Sequence, residues 1–126
     1  MHINHGMRRA ALGLAWLLAV GAASLGCRTD DVGPDSPLVG GRCTTDKDCV
    51  TRCLADAVAY PGGYCTVGCA TNGDCPSGSA CVAREGGVCM ATCLVFADCK
   101  EYGAGYQCTA QTSQSPGGTP LTCLGG

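Results

Sequence analysis

Apolar residues fall along this chain in one dense run and then thin out. The run Ala10–Ala23 is fourteen residues long and uncharged, with Arg8 and Arg9 before it and the small-residue stretch Ser24-Leu25-Gly26 after it. A basic start, a short apolar centre and small residues before a cut describe a secretory signal peptide. The run is too short to hold a bilayer as a stable spanning helix. Beyond it, helical periodicity is confined to Thr45–Tyr60, where Cys49, Cys53, Ala57 and Val58 share one face after a Thr cap and before Pro61-Gly62-Gly63. This predicts a short helix there. Asn72-Gly73, Pro76-Ser77-Gly78, Glu85-Gly86-Gly87 and Gly103-Ala104-Gly105 read as turns between very short strands. Residues 28–41 are dominated by Gly, Pro, Ser and Asp without apolar period, which predicts a flexible tether of about 20 Å.

The cysteines set a second pattern. Cys43…Cys49, Cys69…Cys75 and Cys93…Cys99 each enclose five residues and carry Asp before the second cysteine, and these pairs begin 26 and 24 residues apart. Two further cysteines follow each pair: Cys53 and Cys65, Cys81 and Cys89, Cys108 and Cys123. The repeat divides residues 42–124 into modules of about 43–65, 69–89 and 93–123. Large aliphatic side chains are too sparse here for a core that offsets chain entropy, so twelve cysteines form the scaffold instead. The fold class is small and disulfide-rich: three tandem four-cysteine modules with short strands and turns and one short helix near the first. Four cysteines allow three pairings per module. First-to-third with second-to-fourth is preferred, because interleaved bridges fix a compact unit better than sequential ones; the other pairings stay open.

Thirteen cysteines leave one outside the repeat, Cys27, directly after Gly26. Ser24-Leu25-Gly26-Cys27 resembles the lipobox that closes bacterial lipoprotein signals. The resemblance implies removal of residues 1–26 and lipid attachment at Cys27 (acylation of palmitate type), so that residues 27–41 are a lipidated cysteine and its tether and residues 42–124 the head. Arg28, in place of the Asp that retains such proteins at the inner membrane, points to the outer membrane. The membrane is then a partner through the anchor, and two or more acyl chains are needed to hold stably. The Asp-Cys repeats in turn resemble the small cysteine-rich modules of the Dickkopf amino-terminal type and tandem versions in exported bacterial lipoproteins. That resemblance implies an extracytoplasmic, non-enzymatic head and carries over no binding residue.

Charge and composition narrow the chemistry. Arg8 and Arg9 leave with the signal, so eight basic residues become six against ten acidic ones, a net charge of −4 with no basic patch for nucleic acid. His2 and His5 leave as well, so no His general base, His-assisted nucleophile or imidazole zinc ligand survives, and no cofactor is implied. The tightest cysteine spacing has three intervening residues, one more than the pairs of thioredoxin-type enzymes. Zinc would need ligands drawn from different modules. Asp46, Asp48, Asn72 and Asp74 lack the carboxylate run of a calcium loop, and the Asp before each second cysteine is read as a turn cap. Two residues stand out as candidates for contact with a protein or envelope partner. Phe96 sits in Leu94-Val95-Phe96-Ala97, apolar where the other modules are polar, and packing against a neighbouring module is the preferred explanation. Arg84, between Cys81 and Cys89, would be the presented residue if the chain were instead an inhibitor of an exported hydrolase.

Overall fold

The computed structural model describes residues 30–126. The segment 1–26 expected to be a signal, and Cys27, lie outside the described residues. Six strands form three antiparallel hairpins, one per module: β1 (Arg52–Leu54) with β2 (Tyr64–Thr66), β3 (Ser79–Val82) with β4 (Val88–Ala91), and β5 (Tyr106–Ala110) with β6 (Leu121–Gly125). A 3-10 turn precedes each hairpin, Asp46–Asp48, Asn72–Asp74 and the longer Phe96–Tyr102.

Register explains how so little sequence specifies so much. In every hairpin the third and fourth cysteines of the module face one another, Cys53 with Cys65, Cys81 with Cys89, Cys108 with Cys123. From these facing positions two bridges run to the two ends of the preceding loop. The first-to-third bridges are Cys43–Cys53, Cys69–Cys81 and Cys93–Cys108, each with Cα atoms 5.9 Å apart. The second-to-fourth bridges are Cys49–Cys65, Cys75–Cys89 and Cys99–Cys123, at 5.4, 5.6 and 5.3 Å. The bridges interleave, the arrangement preferred above, and the loop is laid across its own hairpin. Each closes a loop whose restriction in the unfolded chain contributes roughly 3 kcal/mol.

Modules join through the backbone. Cys69 N–H donates to Gly87 O at 3.0 Å, and Cys89 N–H donates to Val67 O at 3.0 Å, so the chain leaving β2 runs beside β4. The chain leaving β4 likewise meets β6, where Cys93 N–H donates to Leu121 O at 3.1 Å and Thr92 bridges Thr122. Gly63 and Gly87 are required at this approach: both have positive φ, and a Cβ would strike the carbonyl oxygens of Cys43 and Cys69.

The first module has no predecessor to supply that strand, and residues 31–41 supply it. Cys65 N–H donates to Gly41 O at 2.8 Å and Gly40 N–H donates to Cys65 O at 2.9 Å. Ser36 Oγ donates to Asp31 O, and Val32 bridges Val39, whose side chain is wholly buried. This corrects the tether: from residue 31 onward the stretch is part of the head, because the edge of β2 needs a backbone partner whatever the composition of the segment that provides it. The helix is corrected too. Thr45 caps it as the sequence indicates, but it ends after Asp46–Asp48, and Cys53 lies in β1. Bridges from Cys43 and Cys49 to opposite strands cannot be satisfied by cysteines stacked on one helical face.

The core also holds more than a count of aliphatics suggests. Tyr60, Tyr64, Tyr102 and Tyr106 are all buried. Tyr64 of the first module packs with Tyr102 and Tyr106 of the third, with ring centroids 6.1 to 6.3 Å apart, and its hydroxyl accepts a 2.9 Å hydrogen bond from Ala91 N–H at the end of the second. Burial pushes the Tyr106 hydroxyl up to about 12 and shifts Tyr64 the same way. Gly125 N–H donates to Ala59 O at 2.9 Å, returning the last strand to the first module. Three modules thus close around one aromatic cluster. Tyr64→Ala is expected to lower the unfolding free energy of the oxidised head by about 3–5 kcal/mol. Tyr64→Phe, which strands only the Ala91 N–H, should cost about 1–3 kcal/mol. Denaturant titration measures both, and equal losses would contradict the hydroxyl's role.

Candidate functional site

The loops between first and second cysteines share one backbone and differ in what they display. In each, the Asp before the second cysteine turns Oδ2 back onto two amides. Asp48 accepts from Thr44 N–H (2.8 Å) and Thr45 N–H (3.1 Å), Asp74 from Ala70 N–H (2.8 Å) and Thr71 N–H (3.1 Å), and Asp98 from Leu94 N–H (2.8 Å) and Val95 N–H (3.2 Å). These bonds favour the ionised form and hold all three carboxyls below the usual Asp value of 3.8. The repeated Asp is therefore the turn cap its position suggested.

A second capping contact was not legible as such. Asp46 Oδ1 accepts from Cys53 N–H at 2.9 Å, and Asn72 Oδ1 accepts from Cys81 N–H at 2.8 Å. Both acceptors stand three residues after the first cysteine of their module. The residue at that place in the third module is Phe96, which has no oxygen to offer the amide of Cys108. The signal was available in the aligned repeats: a hydrogen-bond acceptor occurs twice and is then replaced by an aromatic ring.

That ring is displayed. Leu94 is 84% exposed, Val95 57% and Phe96 55%, and Leu121, whose carbonyl bonds Cys93, is 41% exposed. Lys100 Nζ lies 5.7 Å from the Phe96 ring centroid. Packing of this loop on a neighbouring module, the preferred explanation from sequence, is overturned. The tyrosines already fill the intermodule space, and the loop points to solvent.

Arg84 fares oppositely. It lies in the β3–β4 turn, half-buried, with Nε donating to Gln111 Oε1 at 3.1 Å. Its neighbour Glu85, in a left-handed conformation with φ 51°, pairs with Arg52 at 3.6 Å, and Tyr60 Oη donates to Glu85 Oε2 at 3.4 Å. This turn fastens the second module to the first and third, and Arg84 takes part in it while staying half-exposed.

The sulfurs of Cys43, Cys49 and Cys53, of Cys69, Cys75 and Cys81, and of Cys93, Cys99 and Cys108 lie within 4.8 Å of one another. Their closeness follows from the crossed bridges, and every one is already bonded to another cysteine. Asp46, Asp48, Asn72 and Asp74 face backbone amides and do not converge as a calcium cage. A cleft of about 430 Å³ between Pro34–Pro37, Arg42, Asp48 and Glu101 is open and polar. No family model matches the chain, nor does any curated protein or solved structure.

Two outcomes follow. Because the three capping carboxyls have lowered pKa values, the stability they add is complete above pH 3.8 and is lost as pH falls below it through their folded-state values. Thermal stability should fall across that acid window, and a variant with Asp48, Asp74 and Asp98 all changed to Ala should show a flatter profile. Phe96→Asp restores an acceptor for Cys108 N–H and should raise the unfolding free energy by about 0.5–1 kcal/mol; a loss of stability would show that Phe96 serves the fold.

Proposed function

We propose that this chain is an exported, lipid-anchored envelope protein, held through Cys27 in the outer membrane, whose disulfide-rich head is a binding module without catalytic activity. The observation that carries the reading is the Leu94–Phe96 loop. It is built on the same capped backbone as its two polar counterparts, displays three apolar side chains to solvent, and gives up the amide contact that Asp46 and Asn72 make. A large apolar side chain exposed where the fold favours a hydrogen-bond acceptor is a mark of contact with something outside the chain.

Further support comes from chemistry. All twelve cysteines of the head are bridged, which suits an oxidising compartment and leaves no thiolate for redox or covalent catalysis. With both His residues in the signal segment, proton transfer near neutral pH has no side chain suited to it. No helix among the described residues is long and apolar enough to cross a membrane. Attachment through the Ser24-Leu25-Gly26-Cys27 junction is the route this reading uses.

Membrane-extracted protein is expected to weigh more than the polypeptide beginning at Cys27 by the mass of its acyl chains. Cys27→Ser should abolish that excess and either release the head into the soluble fraction or leave the signal uncut. An unmodified mature chain beginning at another residue would refute the anchor.

A further inference from the structure

We propose that Leu94, Val95 and Phe96 are a membrane-contact loop, seated in the interface of the same bilayer that carries the lipid on Cys27. The inference rests on the lipid-anchor reading and adds what the exposed loop touches.

The first ground is reach. Cys27 stands three residues before Asp30, so the intervening chain extends at most about 11 Å. Since residues 31–41 belong to the head, a lipid on Cys27 holds the head against the bilayer surface and not at the end of a long tether.

The second ground is direction. Val32, next to the point where the chain joins the head, lies against Gly78; a Cβ on that glycine would sit 3.8 Å from the Cβ of Val32. Gly78 O accepts from Thr92 N–H at 2.9 Å, and Thr92 is two residues from Leu94. Gly78 and Thr92 therefore link the entry of the chain to the base of the apolar loop. β6 runs from Leu121, beside this loop, to Gly125 beside Val58, a length of about 13 Å, so Val58 marks the other end of that strand.

The third ground is the chemistry of the tip. Backbone amides resist leaving water unless they are bonded, and the N–H groups of Leu94 and Val95 are already held by Asp98. Two of the tip's amides can therefore leave bulk water already bonded. Lys100, beside Phe96, can rest its methylenes on the ring while its ammonium reaches headgroup phosphates. A bilayer interface accepts an apolar tip with a cation behind it.

The mature chain contains no Trp, since Trp16 belongs to the signal, so one introduced Trp reports alone. Lipidated Phe96→Trp protein is reconstituted into phosphatidylethanolamine–phosphatidylglycerol vesicles, with Leu94→Trp as a second reporter and Val58→Trp as the control. Co-flotation with the vesicles reads the anchor independently. The expected result is a blue-shifted emission that brominated acyl chains quench for Trp at 96 and at 94, but not at 58. Co-flotation with all three reporters unquenched overturns membrane contact while leaving the anchor intact. Equal quenching at 58 overturns the orientation. A blue shift that depends on protein concentration and appears without vesicles assigns the loop to a second copy of the chain. Failure to float removes the anchor and this inference with it.

Discussion

The fold depends on a covalent constraint repeated three times: two cysteines facing one another across an antiparallel hairpin, each bridged to a different end of the loop before it. A single bridge would let the loop swing about one attachment. Two bridges from facing positions fix it across the hairpin, and the Asp before the second cysteine then finds two amides within hydrogen-bond distance. The 3-10 turn, the carboxylate cap and the short strands are consequences of that crossing. Hairpins of three to five residues per strand would be marginal in water without it.

Covalent links stop at module boundaries, and other forces take over between modules. The strand leaving one hairpin becomes the edge partner of the next, residues 31–41 serve the first module in that role, and Gly125 returns to Ala59. Tyr64, Tyr102 and Tyr106 fill the space thus enclosed. The crosslinks make the modules, while backbone pairing and aromatic burial arrange them.

Cysteine spacing made the modules and the role of the repeated Asp readable, because each follows from local sequence. The helix capped by Thr45 stops at Asp48, short of Tyr60, because covalent bridges override a weak helical pattern. The segment before Cys43 looked like linker because its task uses backbone groups of Gly40 and Gly41 and one buried side chain, Val39, which composition does not reveal. The tyrosines are hidden from a count of aliphatic side chains, although a Tyr with a hydroxyl partner buries readily. Once they occupy the centre, the Leu94–Phe96 loop has no place inside and faces outward. A rigid crosslinked frame can carry such a tip without refolding around it, so the third module differs from the others in what it displays and not in how it folds.

Amide-resolved NMR of the head before and after mild reduction tests most directly the claim that crossed bridges underlie the whole structure. The account predicts that resonance dispersion is lost throughout residues 31–125, including the pairing of residues 31–41 with β2, because each module loses its frame and the tyrosine cluster then has nothing to arrange. Retention of a dispersed spectrum with all twelve thiols free would contradict it, and would place the specification of the fold in packing and not in the bridges.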